Sequence, residues 1–518
     1  MRRIERSRWA NIGACVFLAV GTARLPMVKA AEDPLVVETR AGLVRGLARE
    51  AGGARFLGIP FAQAPVGELR WHEPLPAKDW SGVRDATAYS VPCVQPDLGE
   101  WNRNDAKNGQ EDCLYLNVIT PAWPKKGLLP VMFWIHGGAN EGGSGMSDLY
   151  TAGTLADHGV VVVTVNYRLG VFGFLTHAEL TGESAHHVSG NYGLLDQILA
   201  LRWVIANIER FGGDAQNITV FGQSAGALDA QILMASTATG LFQKAIEESA
   251  PIGLMLAPLS EAEAAGERFA LSMGAPEGVR RIAYLRGIPA RKLIKKLTAH
   301  EPHQQFGPVI DGWLLTKSPA EVFAAGQESA IPLLFGTNTR ELGDNKTPDQ
   351  LREMITISAG EHAPEALKAY GLATGGAGAS DPMYGSAADQ FMADMIFRCP
   401  ATAEARSHTA ANNTTFQYEF NHPVPGQPDA IHSTELSFVF GFYPKEGNLA
   451  GPYTAADRKF AGMVESYFTN FAKAGNPNGT GLPVWPEFGS EAAYVKFTRA
   501  GTVEEGHHLR GRFCRVYR

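Results

Sequence analysis

Two stretches of the chain are dominated by apolar residues. "LPVMFWIHGG" (129–138) ends in glycines, and "GVVVVTVNYR" (159–168) is strongly β-branched. Such runs predict strands buried on both faces, in a sheet covered by helices. The period then changes. In "NYGLLDQILALRWVIANIERFGGD" (191–214) apolar residues recur at helical spacing up to Gly212-Gly213, a helix stop. "NITVFG" (217–222) returns to a strand pattern. The order strand, helix, strand, turn, helix predicts an α/β fold with a mainly parallel sheet.

On either side of this region the pattern is less regular. Upstream, "LVVETRAGLVRGLA" and "ARFLGIPFA" read as short strands joined by glycine-containing turns. Downstream, "SEAEAAGERFALSMG" (260–274) reads as a helix, with Ser260 and Glu263 at the spacing of a capping box. "SAIPLLFGTN" (329–338), "TTFQYEF" (414–420) and "AYVKFT" (493–498) are later strands, and "GLATGGAGASDP" (371–382) is a loop. No repeat and no linker separates two cores. Residues 31–518 are expected to form a single domain with helical insertions.

Composition narrows the class. The 518 residues are 45% hydrophobic and 19% charged, which suits a large buried core and excludes a disordered chain. The net charge of -7 gives no reason to expect nucleic acid as a partner. The basic stretch "ARKLIKKL" (290–297) reads as a solvated helix face.

Residues 1–30 read as a secretory signal peptide. Arg2, Arg3, Arg6 and Arg8 precede the apolar core "IGACVFLAV" (12–20), and small residues allow cleavage after Ala30 or Ala31. That core is too short to cross a bilayer, so no stable membrane span is expected after its removal. The expected location is secreted or periplasmic. Of five cysteines, Cys15 leaves with the leader. Cys93, Cys113, Cys399 and Cys514 remain. An even count in an exported chain points to two disulfides, with three connectivities open. No CxxC pair is present, so no metal site is expected.

The candidate chemistry lies in "TVFGQSAGALDA" (219–230). Gly-x-Ser-x-Gly after a strand and before a helix is the nucleophile-elbow pattern. The turn strains Ser224, and Gly222 and Gly226 keep bulk away from it. The Ala225 amide falls at a helix N-terminus, where donors are unpaired and an anion is favoured. A serine hydroxyl needs a base, and the base needs an orienting carboxylate. With this elbow the chain order is serine, acid, histidine. His362, His408, His422, His432, His507 and His508 all remain open as the base on spacing alone.

Several ordered motifs carry a resemblance. "FLGIPFAQAPVGELRW" (56–71), "EDCLYLNVITP" (111–121), "FWIHGGAN" (133–140), "FGQSAGA" (221–227), "GTNTRE" (336–341) and "IHSTELSFVFG" (431–441) together resemble the type-B carboxylesterase/lipase family. That family includes cholinesterases, bacterial para-nitrobenzyl esterases and fungal lipases. The resemblance implies an α/β-hydrolase fold, with a mainly parallel central sheet flanked by helices. It implies Ser224 as nucleophile, Glu341 as acid and His432 as base. Gly138, Ala139 and Ala225 match the oxyanion-hole donors. It also implies the pairings Cys93–Cys113 and Cys399–Cys514. The implied activity is hydrolysis of small to medium carboxylic esters through an acyl-enzyme, with no metal or organic cofactor. The expected partner is a small-molecule ester.

Departures from the family pattern bear on the substrate. Gln223 stands where glutamate is common, which weakens the case for a cationic choline ester. Trp101 resembles the tryptophan that stacks on quaternary ammonium in cholinesterases. Asn140 replaces a common aromatic residue and predicts a more polar or roomier pocket. Asp229 stands where a small uncharged residue is expected; pairing with a buried arginine or a water link to His432 are its open readings. Two other functions share the scaffold. An amidase or carbamate hydrolase would use the same triad, and a non-catalytic binding protein would keep the fold but typically lose the serine.

Overall fold

A computed structural model describes residues 33–276, 280–299 and 306–517. The signal peptide expected in residues 1–30 lies outside the described residues. Leu35–Arg518 form one compact unit.

The core is an 11-stranded sheet. In chain order its strands are β1 (Leu47–Ala48), β2 (Ala54–Pro60), β3 (Tyr115–Thr120), β4 (Leu129–Ile135), β5 (Val161–Val165), β6 (Gly213–Gln223), β7 (Lys244–Glu248), β8 (Leu333–Asn338), β9 (Thr415–Phe420), β10 (Ala493–Phe497) and β11 (Val503–His507). Across the sheet they run β11-β10-β9-β8-β7-β6-β4-β5-β3-β2-β1. The seven strands β4 to β10 are mutually parallel. Antiparallel strands close both ends.

The apolar runs form the strands they predict, and their alternate residues feed two separate cores. Val131, Phe133 and Ile135 of β4 pack into one cluster, with Leu194 and Val204 of helix α1 (Tyr192–Asn207). Met132 and Trp134 face the other way, toward Phe468 and Phe471 of a helix spanning Ala455–Ala474. A two-sided sheet of this kind needs helices on both faces, which explains the lack of polar alternation.

Two expectations are corrected. The helix predicted up to Gly212 ends at Asn207, continues as a single 3₁₀ turn and closes on Gly212 at φ 87°. Gly213 already belongs to β6. The Ser260/Glu263 capping box does not form. The helix Leu259–Ser272 starts earlier, with Pro258 at its N-cap and no side-chain cap. Pairing of Ala257–Pro258 with Val309–Ile310 fixes that start, so Ser260 already lies inside the helix. Glu263 instead accepts a hydrogen bond from Thr181 at 2.6 Å.

The basic stretch lies on a helix, Ala290–Ala299. Leu293 is buried there, while Arg291 is exposed and reaches the Lys107 carbonyl. Both disulfides form with the expected pairing. Cys93–Cys113 closes a separation of 20 residues, and Cys399–Cys514 one of 115. Among the described residues, no helix is long and apolar enough to cross a membrane.

Candidate active site

Strand register brings the candidate residues to one edge. Ile135 of β4 pairs with Gly222 of β6, Gln223 with Glu248 of β7, and Glu248 with Gly336 of β8. The carboxyl ends of these strands therefore align, and the loop after each projects from the same edge. β4 lies between β5 and β6, so the chain leaves it to opposite sides. Ligands in open α/β sheets bind at such a reversal. The Gly137–Ala139 loop and Ser224 flank it.

Ser224 has φ 56° and ψ −126°, a conformation that L residues avoid, between β6 and helix α2 (Ala225–Ala235). The flanking glycines are required by close approach. A Cβ on Gly222 would stand 2.5 Å from the Gly226 carbonyl carbon, and one on Gly226 would overlap the Ile135 carbonyl. The elbow thus sits directly on the end of β4.

Gly138 and Ala139 follow at φ 111° and 58°, and Asn140 at 57°. Gly142 N–H and Glu141 N–H both return to the Gly138 carbonyl. The amides of Gly138, Ala139 and Ala225 have no acceptor among the described residues. His136 supports this loop from below. Its ring stacks on Tyr167 at 4.5 Å, and Tyr167 donates to the His136 carbonyl at 2.8 Å. Burial pushes the His136 imidazole down to about 4, so it stays neutral.

His432 Nδ1 lies 2.6 Å from Glu341 Oε2. Glu341 Oε1 accepts from Ser249 Oγ and from the Asn338 amide, each at 2.8 Å. A carboxylate so satisfied makes Nδ1 the protonated nitrogen and leaves Nε2 as acceptor. Burial lowers the proton affinity of His432. The hydrogen bond and charge of Glu341, with the charge of Glu435, outweigh burial and raise it above the ordinary histidine value. Gln223 Nε2 donates to His432 Nε2 at 3.2 Å. Ser224 Oγ has no hydrogen-bond partner among the described residues.

Ser224 opens into a cavity of about 670 Å³, lined also by Asn140, Leu228, Phe306 and Phe397, with Glu261 and Arg268 on its wall. Trp101 is not part of that lining. It is half exposed, lies over Gly138 and Gly142, and bounds a separate open recess with Phe442 and Leu449. Asn140 is buried against Asp229.

Other residues at the site were not singled out by the sequence motifs. Ser249 follows β7, and nothing in "EESAP" marks it. Glu435 lies three residues past His432 and accepts from Asn338 Nδ2. Burial, then the Glu341 charge, pushes its carboxyl up to about 7. The buried Arg398 binds the carbonyls of Asn338 and Thr339, just before Glu341, at 2.9 and 3.0 Å. Asp229 pairs with no arginine among the described residues: its partners are Asn140 and Gln197.

Strand order and reversal point together define an α/β-hydrolase. The sequence profile of the carboxylesterase family matches residues 33–516. The fumonisin B1 esterase of Sphingopyxis macrogoltabida is 36% identical over 519 residues, covering 96% of this chain and 92% of that protein. The para-nitrobenzyl esterase of Bacillus subtilis (strain 168) is 38% identical over 477 residues, or 88% and 93% of the two chains. The crystal structure of carboxylesterase EST55 from Geobacillus stearothermophilus superposes with a TM-score of 0.81 at 34% identity, covering 93% of this chain and all of that one. The chain belongs to the carboxylesterase family, and its chemistry is hydrolysis of carboxylic esters.

Proposed function

We propose that the protein is an exported serine esterase, working through a Ser224–His432–Glu341 triad and an acyl-enzyme. His432 Nε2 takes the hydroxyl proton as Ser224 Oγ attacks the ester carbonyl. The amides of Gly138, Ala139 and Ala225 hold the oxyanion, each such donor contributing roughly 3–4 kcal/mol of barrier lowering. The alcohol leaves with the proton from His432. Water then attacks the acyl-enzyme through the same base and releases the acid and Ser224. Glu341 keeps the imidazole in the productive tautomer and stabilises its cation.

One observation carries this reading. A serine in a strained turn opens into the 670 Å³ cavity, while a histidine bonded to the adjacent Gln223 at 3.2 Å is held by a carboxylate at 2.6 Å. The two disulfides agree with export to an oxidising compartment, the location a leader in residues 1–30 would give.

The test is hydrolysis of para-nitrophenyl acetate, butyrate and octanoate beside Ser224→Ala, with organophosphonate labelling of both proteins. Para-nitrobenzyl esters and fumonisin B1 join the panel because relatives carry those names. Activity and label lost together in the variant support the assignment. Activity that survives in Ser224→Ala refutes it. Asn140 lines the cavity where an aromatic residue is common in the family, so Asn140→Phe should slow polar acyl esters relative to butyrate. An unchanged ratio would remove Asn140 from the substrate pocket.

A further inference from the structure

Asp229 is fully buried on α2, five residues past Ser224. Both of its oxygens are engaged, by amide groups and not by a cation. Asn140 Nδ2 donates to Oδ1 at 2.9 Å, and Gln197 Nε2 donates to Oδ2 at 2.6 Å. The titratable neighbour facing it is Tyr167, which also binds the His136 carbonyl. A carboxyl in such a place is costly, because burial favours its neutral form and pushes it up to about 7. The usual small side chain would avoid that cost.

The geometry gives a reason for the carboxyl. Two of the three unpartnered amides, Gly138 and Ala139, sit on the loop after β4. The third, Ala225, is the first residue of α2. Their relative placement depends on how that loop is fixed to that helix. Ala139 and Asn140 are consecutive non-glycine residues at positive φ, a conformation that L side chains rarely adopt. Asn140 is held twice. Its carbonyl accepts from Gly170 N–H at 2.6 Å, and its side chain is tied to Asp229. The second tie runs directly between the two halves of the oxyanion site. It leaves Asn140 Oδ1 buried without a partner, on a side chain that lines the cavity.

We propose that Asp229 is a positioning residue: through its hydrogen bond to Asn140 it locks the Gly138–Ala139 loop to the helix that begins at Ala225, and so sets the geometry of the oxyanion hole. This rests on the triad reading above. Asp229 touches no reacting atom and acts through Asn140 alone.

The experiment compares Asp229→Ala, Asp229→Asn and Ser224→Ala with the unaltered protein on para-nitrophenyl butyrate. Each is also titrated with a butyl trifluoromethyl ketone, whose tetrahedral adduct needs the oxyanion donors. In Asp229→Ala the tie is gone. Misplacement on the scale of 1 Å should lower kcat by roughly tenfold to a hundredfold, with KM little changed. Ketone affinity should fall by the same factor as kcat/KM. In Asp229→Asn the Asn140 amide can turn over and keep one hydrogen bond, so most of kcat should return. A kcat and ketone affinity in Asp229→Ala equal to the unaltered protein would overturn the proposal. So would a loss confined to KM, or an Asp229→Asn as impaired as the alanine variant. Should Asp229→Ala not fold, Asp229→Ser carries the same expectations. Ser224→Ala separates the two readings. Its retention of activity refutes the nucleophile, whereas its inactivity beside a fully active Asp229→Ala refutes only the role of Asp229.

Discussion

Replacing Glu341 by glutamine changes almost no volume and removes one charge, and the surrounding hydrogen bonds dictate the consequence. The carboxylate accepts three donors: Ser249 Oγ and the Asn338 amide at Oε1, and His432 Nδ1 at Oε2. A glutamine has one acceptor oxygen. If that oxygen keeps the Oε1 position, its NH₂ faces His432 Nδ1. The imidazole must then carry its proton on Nε2, where it cannot accept the serine proton. If the oxygen instead faces His432, the NH₂ group opposes the Asn338 N–H. Ser249 can rotate away, but the backbone amide cannot, and a buried unsatisfied donor costs about 1–3 kcal/mol. The unproductive tautomer is therefore favoured by about 1–3 kcal/mol. The productive one has also lost the charge that stabilises the imidazolium. A fall in kcat of roughly 10³–10⁴-fold is expected, the scale on which orienting carboxylates act in serine triads.

The pH dependence has a definite sign as well. His432 is raised above 6.5 because Glu341 outweighs burial. Activity of the unaltered protein should therefore rise with pH through a value above 6.5. In Glu341→Gln, burial acts with little opposition, and the residual activity should rise at lower pH. Stability obeys the same linkage. A raised folded-state value contributes stability that is full below the unfolded value and lost as pH rises through the folded one. Glu341→Gln should thus lower Tm more at acidic than at alkaline pH. The assay is kcat/KM for para-nitrophenyl butyrate across about pH 5–9, with thermal unfolding at both ends. A fall in kcat smaller than about tenfold, or a limb that does not move, would refute the assigned tautomer.

Other expectations concern the scaffold. Gly226→Ala should lower both Tm and activity, because the added methyl would overlap the Ile135 carbonyl. Gly462→Ala, inside the helix Ala455–Ala474 with open space around it, should raise stability by about 0.5–1 kcal/mol in denaturant unfolding. The separation of 115 residues spanned by Cys399–Cys514 makes its removal the more costly of the two disulfide losses. The chain-entropy model gives about 4–5 kcal/mol there, against about 3 kcal/mol for Cys93–Cys113. Equal Tm losses for Cys514→Ser and Cys93→Ser would contradict it.

The sequence alone determined strands such as β4, β5 and β6, because a buried parallel strand rich in apolar residues is legible locally; it missed β7, a buried parallel strand that carries Lys244, Glu247 and Glu248. It determined the elbow for a related reason. A strained serine on the end of a strand requires glycines on both sides, and that requirement is written within five residues. It did not single out a histidine to serve as the base. His432 was reached through the resemblance of "IHSTELSFVFG", since six histidines satisfied the chain order. It also mistook the start of one helix, where pairing between Pro258 and Ile310 overrode a favourable Ser260/Glu263 spacing. What only the tertiary structure decided are contacts between segments far apart in the chain. Ser249 meets Glu341 across 92 positions, Arg398 braces the loop before Glu341, and Asn140 reaches Asp229 across 89. A hydrogen bond between two side chains depends on strand register and helix placement, not on either residue's neighbours in sequence. Asp229 could look anomalous in the chain for that reason and still have a partner in the fold.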